Sequence, residues 1–257
     1  MTYRRVAAAV TLVLTAGALA AFMPRGAPST TRTCTMVLES EVCAWVTLDG
    51  DRPLELGATI PIALIESVPL DAEMTWPPRQ LGTLELPTEA RTALGIDHLA
   101  INWEAHGHPP ATFLAPHFDF HFYSITREAV AAIDCADESK PAAVPGGYAL
   151  PDIDIPGMGT LVGLCVPLMG MHAMPAADAG ATDAFDASMV VGYYGGEPIF
   201  FEPMVSRALL LERSDFALPV PAVHGLPDGV RYPAELRAEY DEKNRQYRLI
   251  ATGFGAH

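Results

Sequence analysis

The chain has 257 residues, half of them hydrophobic and only 18% charged, with 31 acidic against 16 basic side chains and a formal net charge of −15. That length suits one large β-rich domain with a sizeable core, or two small ones. The acidic surface repels phosphates, which excludes nucleic acid as a partner and favours cations.

The chain begins with a basic segment carrying Arg4 and Arg5. An apolar run follows from Val6 to about Met23, with Ala18-Leu19-Ala20 as a small-x-small cleavage site. Residues 1–20 read as a signal peptide, which places the mature protein in the periplasm or outside the cell. The competing reading is an uncleaved N-terminal anchor, because the run is almost long enough to span a bilayer. No cysteine follows the apolar run closely, which argues against a lipoprotein. No second long apolar run exists, so no membrane association is expected after cleavage. Residues 21–33 lack periodicity and read as a linker, and residues 34–257 as a single domain.

Residues 42–48 and 54–64 are apolar, β-branched runs separated by the hairpin signal Asp49-Gly50. Pro77-Pro78 marks a loop. Residues 83–86 alternate as a short strand, and 88–94 read as one or two helical turns. Residues 98–103 read as a strand, which Gly107-His108-Pro109-Pro110 must end in a turn. Residues 112–114 and 117–123 are expected to be strands. Thr126 is placed to cap a helix over 127–133. Residues 136–160 are rich in Pro and Gly and read as an extended connection, and 175–188 as a further loop. Gly195-Gly196 marks a hairpin between 189–194 and 197–203. Residues 206–213 suit a short helix, 241–244 a turn and 247–254 a last strand. Short strands, many prolines and few helical windows predict a mainly β fold, a barrel or sandwich with few short helices.

Four cysteines, Cys34, Cys43, Cys135 and Cys165, fit an exported chain. The pairing Cys34–Cys43 and Cys135–Cys165 is expected, since each pair brackets one hairpin or loop. Buried free cysteines are the competing reading. No CxxC occurs, which argues against a Cys-rich zinc site or a thioredoxin-type redox site.

The segment His117-Phe118-Asp119-Phe120-His121-Phe122-Tyr123 alternates without a break. On a strand, the three phenylalanines share one face, and His117, Asp119, His121 and Tyr123 share the other. Two imidazoles, a carboxylate and a phenol are metal-ligand chemistry, where an ordinary solvent face would carry Thr, Lys and Glu. A polar row hydrogen-bonded inside a barrel is the alternative. Residues i and i+2 stand roughly 6.8 Å apart along a strand and can share an ion, whereas i and i+4 stand about 13 Å apart and do so only across a bulge or bend. Further ligands are expected from His108 on its rigid turn, from His172 within Met169-Gly170-Met171-His172, and from Glu202 within Phe200-Phe201-Glu202-Pro203. An acidic group in such apolar company is costly unless paired or metal-bound. His98 and His106 are set aside, Asp178, Asp183 and Asp186 read as a solvated loop, and the methionines near His172 read as packing.

Together these residues suggest one His-rich site for a divalent transition metal, zinc first and iron second. Its expected ligands are His117, His121, His172 and Glu202. His108 is in reserve, Asp119 is a fifth ligand or general base, and Tyr123 orients a small-molecule substrate. The chemistry implied is a metal-dependent hydrolase or lyase. The alternative is a non-enzymatic envelope protein whose metal or polar network serves stability, with no substrate. GxSxG, HExxH, P-loop and GxGxxG motifs are absent.

The ordered set Gly107-His108-Pro109-Pro110, Pro116 to Tyr123, Met169 to His172, and Gly195 to Met204 resembles a poorly characterised family of exported bacterial proteins, a domain of unknown function. Its reference member is a sigma-factor-regulated thermophile protein that forms a ring. The resemblance covers about 42–254 and implies a secreted β-rich domain and a homo-oligomer. It implies no reaction. Ala173-Met174-Pro175 after His172 departs from the aromatic and acidic residues expected there, which puts any supporting role just after His172 in doubt.

Overall fold

The computed structural model describes residues 27–157 and 159–255. The expected signal peptide lies outside the described residues.

The first three strands, β1 (Ser29–Val37), β2 (Ser40–Asp49) and β3 (Arg52–Pro61), form an antiparallel meander. Residues 29–33, expected to be linker, are therefore the start of β1. Their threonines suit an edge strand that pairs along one side only. The apolar run read as a strand to residue 64 stops at Pro61. Proline ends the ladder but suits a helix entry, and α1 (Ile62–Ser67) follows directly, burying Ile62, Leu64 and Ile65. Next come β4 (Gln80–Glu85), α2 (Thr88–Leu94), β5 (His98–Glu104) and β6 (His117–Tyr123).

Residues 112–114 do not form the expected strand. Pro109 and Pro110 set up a short 3-10 turn at Ala111–Phe113, closed by Phe113 N–H donating to Pro110 O and His108 N–H donating to Phe113 O. Helix α3 (Arg127–Ala131) starts where the sequence places its cap, with the Thr126 hydroxyl accepting from Ala129 N–H. Among its described residues, the Pro/Gly-rich connection carries β7 (Tyr148–Ala149), β8 (Ile153–Ile155) and β9 (Gly159–Leu161). Then follow β10 (Met171–Pro175), the single turn α4 (Ala176–Gly180), β11 (Ala187–Tyr194) and β12 (Glu197–Ser206). Gly195 and Gly196, both at positive φ, make the tight β11–β12 turn. The chain closes with α5 (Arg207–Glu212), β13 (Phe216–Pro219), β14 (Glu235–Asp241) and β15 (Gln246–Thr252).

The strands form a sandwich. One sheet runs β1-β2-β3-β15-β14-β13 and the other β4-β5-β6-β12-β11-β10-β7, with β8 and β9 as a separate ribbon. The main apolar core joins residues of both sheets, including Val46, Leu56 and Leu249 of the first and Phe118, Phe120, Phe122 and Phe201 of the second. The far face of the second sheet carries a smaller apolar cluster, which includes Phe113, Leu164, Phe185, Val190 and Phe200. The polar residues of interest lie on that far face. Among the described residues, no helix is long and apolar enough to cross a membrane.

Both expected disulfides are present. Cys34 and Cys43 are cross-strand partners in the β1–β2 hairpin, and Cys135–Cys165 closes the Pro/Gly-rich connection across a separation of 30 residues. They are consistent with an oxidising, extracytoplasmic location.

Candidate metal centre

Strand β6 lies in the middle of its sheet, between β5 and β12, and all seven of its residues are buried. Its alternation does what the sequence implies. Phe118, Phe120 and Phe122 enter the main core, while Tyr123 belongs to the far-side cluster. The cross-strand register extends the polar face sideways. Glu104 of β5 lies opposite His117, and Asn102 opposite Asp119.

All six expected metal ligands meet on this face, but as two triads and not as one site. His121, His172 and Glu202 form one, and His108, His117 and Asp119 the other; within each, the ligand atoms lie within 4.8 Å of one another. His117 is thus separated from the three ligands it was expected to join. The cause is the strand's rise: four residues carry His117 too far from His121 to share an ion.

In the first triad, His121 Nε2 stands 3.4 Å from Glu202 Oε1, and His172 Nε2 stands 4.0 Å from Glu202 Oε2. All three residues are buried. Neither ring nitrogen of His121 has a hydrogen-bond partner, and neither does Glu202 Oε2. His172 donates from Nδ1 to the carbonyl of Leu164 at 3.0 Å, which leaves Nε2 as the free lone pair facing the carboxylate. Phe200 packs against both imidazoles, with ring centroids 4.8 Å from His121 and 5.3 Å from His172.

That packing depends on Gly192. It sits between its register partners, His172 on β10 and Phe200 on β12, and a Cβ there would overlap the Phe200 ring. Gly192→Ala is therefore expected to destabilise the fold by about 1–3 kcal/mol and to weaken metal uptake by displacing the ring. Thermal melts and a zinc titration on the same sample check both effects. Unchanged values would show that Phe200 is free to move aside.

In the second triad, His117 Nε2 lies 3.2 Å from Asp119 Oδ1 and 3.2 Å from His108 Nε2. His108 Nε2 is 3.9 Å from Asp119 Oδ2. Phe113 and Phe185 form the aromatic wall here, with Phe185 5.2 Å from His117.

The electrostatics follow from burial. Burial pushes the His121 imidazole down to about 3, against the pull of the Asp119 charge. It takes His108 down to about 4, helped by the charge of His117, and lowers His172. Burial opposes charge on His117 too, but Asp119 beside it outweighs that and raises it. Asp119 is in turn held down at about 2: burial works against ionisation, and the His117 charge overcomes it. Glu202 has no such counter-charge. Burial, then the charges of Asp119 and Glu104, push its carboxyl well above the usual range, and burial and Asp119 raise Glu104 to about 7. A buried carboxyl without a cation and beside empty imidazole lone pairs is the state that a bound metal relieves.

Tyr123 stacks between His98, at 4.9 Å, and His121, at 5.5 Å, and its hydroxyl has no partner. Burial, then the Glu202 charge, raise it well above the ordinary phenol value, so it is a hydrogen-bond donor and not a base.

Sequence reading missed Glu104 and Asn102. Both have buried, unpartnered side-chain atoms: Oε1 of Glu104, and Oδ1 and Nδ2 of Asn102. Their signal was the alternation of β5, in which Ala100, Asn102 and Glu104 share a face, but which strand that face adjoins is set by the register.

The chain matches no protein-family model, no curated protein and no solved structure.

Proposed function

We propose that this is an exported metal-binding protein whose first ion, zinc before iron, is held by His121, His172 and Glu202. The observation that carries the reading is the burial of a histidine with two unpartnered ring nitrogens against a carboxylate with an unpartnered oxygen. Two imidazoles and a carboxylate match the ligand set of zinc, and also that of non-haem iron.

Three protein ligands would leave a bound ion open to water or substrate, which favours hydrolase or lyase chemistry on a small envelope substrate. A divalent ion there supplies Lewis acidity and lowers the pKa of water. Around it, Tyr123 offers a proton-bearing hydroxyl for orienting a substrate, Phe200 excludes water from the imidazoles, and the Leu164 carbonyl fixes the His172 tautomer. A second reading, a metal serving stability alone, is favoured by the near-complete burial of His121 and Glu202. His121→Ala separates the two. A folded variant that loses turnover supports the enzyme, and a variant that fails to fold, with no turnover found in the parent protein, supports the structural role.

A zinc titration of chelator-stripped protein tests the reading. Glu202 holds its proton above the usual carboxyl range in the metal-free protein, whereas His121 and His172, both lowered, are already neutral near pH 7. The cation must displace the Glu202 proton. Uptake therefore releases a proton, and affinity should rise with pH, by up to about tenfold per unit, for as long as the free protein holds that proton. Absence of binding overturns the proposal, and pH-independent affinity removes Glu202 from the ligand set.

A further inference from the structure

The second triad has a feature that the first lacks. His117 donates from Nδ1 to the Ala115 carbonyl at 2.7 Å, and His108 donates from Nδ1 to the Pro109 carbonyl at 2.8 Å. A carbonyl only accepts, so both Nδ1 atoms carry the hydrogen. In the neutral rings both Nε2 atoms are then bare lone pairs, yet they face each other at 3.2 Å. Two bare acceptors repel at that distance, so either a proton on His117, which the neighbouring Asp119 raises, or a metal cation lies between them.

A single proton could relieve that one contact. It would leave the rest of the cluster unserved. Asp119 Oδ1 stands 3.2 Å from the same His117 Nε2, so one hydrogen cannot serve both it and His108. Glu104 Oε1, opposite His117 on β5, has no partner. The Asn102 side-chain oxygen, opposite Asp119, is also buried and unpartnered. A divalent ion answers all of these groups together, because its coordination number exceeds what one proton can serve.

We propose that the protein binds a second divalent ion, held by His108, His117 and Asp119 with Glu104 as fourth ligand, independently of the ion at His121, His172 and Glu202. The proposal rests on the reading that this face of the sheet binds divalent metal, and extends it to two ions. Independence follows from the geometry. The strand's rise separates His117 of this set from His121 of the other. Each set has its own aromatic wall, Phe113 and Phe185 for one and Phe200 for the other. The carbonyls that fix the ring tautomers also differ: Pro109 and Ala115 for the second set, Leu164 for the first.

The two sites also differ in access. The His108 side chain is 24% exposed, whereas His121 and Glu202 are each 1% exposed. The second ion therefore sits nearer the rim, on the turn built by Gly107-His108-Pro109-Pro110, and should load and strip faster.

The experiment is a zinc titration of tag-free, chelator-stripped, disulfide-intact protein, followed by equilibrium dialysis and elemental analysis. The parent protein should take up two equivalents. His108→Ala alters a half-buried turn and should retain one equivalent, and His121→Ala should retain the other. Glu104→Gln should weaken only the faster-exchanging equivalent, by roughly 10–100-fold. One equivalent in the parent, kept by His108→Ala and lost by His121→Ala, overturns the second ion and leaves the first site standing. One equivalent lost by either variant means a single shared ion and overturns the two-site arrangement. No uptake overturns this proposal and the proposed function together. Should a histidine variant fail to fold, the stoichiometry of the parent and of Glu104→Gln decides.

Discussion

Removing bound metal from the folded protein should lower its melting temperature by about 8–16 °C. A ligand that binds only the native state adds about 4 kcal/mol when its free concentration is a thousand times its dissociation constant. In a domain of 150–250 residues, each kcal/mol moves the midpoint by about 2–4 °C. Here the effect comes from one place. Without a cation, His121 and Glu202 are buried with unpartnered atoms, and Glu202 is pushed well above its normal range by burial, then by Asp119 and Glu104. The fold tolerates this because the rest of the sheet is well packed: Phe118, Phe120, Phe122 and Phe201 are fully buried in the main core. Differential scanning calorimetry with and without a chelator, then with zinc restored, measures the shift and its reversal. Equal midpoints in the three samples would mean that these polar groups are satisfied without metal.

Replacing both Cys135 and Cys165 with alanine should cost about 3–4 kcal/mol. Closing a loop of 30 residues removes that much chain entropy from the unfolded state. Cys34–Cys43 spans only 9 residues, within a hairpin already held by its own ladder, and its loss should cost less. The larger bridge also reaches the metal centre. Cys165 follows Leu164, whose carbonyl fixes the tautomer of His172. Among its described residues, the segment between the two cysteines carries the short strands β7 to β9 and one 3-10 turn at Val162–Leu164. The double variant should therefore lose zinc affinity as well as stability, while the Cys34/Cys43 variant should keep its affinity. Urea unfolding with parallel zinc titrations checks the pair. Equal losses of affinity in the two variants would show that the His172 side is positioned by the sheet alone.

Where the sequence carried a strict local signal, it could be read. The seven-residue alternation of β6 assigns each side chain to a face without knowledge of the neighbours. Thr126, Asp49-Gly50 and Gly195-Gly196 mark a cap and two turns through chemistry confined to a few residues. The two disulfides could be read because each pair brackets one hairpin or loop.

What could not be read depends on contacts distant in sequence. The strand start at Ser29 is fixed by pairing with Leu48, and β13 exists through its pairing with β14. The helix at Ile62 begins inside an apolar run that reads equally well as strand. At the site, the ligand types were legible but their grouping was not. Asp119 joins His108 and not His172, because the turn at Pro109-Pro110 brings His108 to one end of β6 and the β10–β11 hairpin brings His172 to the other. Glu104 and Asn102 enter only through the β5–β6 register.

This face of the sheet is expected to hold metal in the native protein. The most direct test is elemental analysis of protein purified from its natural compartment without an affinity tag and without chelators. The account predicts at least one equivalent of zinc or iron per chain, rising to two when zinc is supplied during purification. Less than about a tenth of an equivalent of any transition metal, with added zinc changing neither melting temperature nor spectrum, would contradict it.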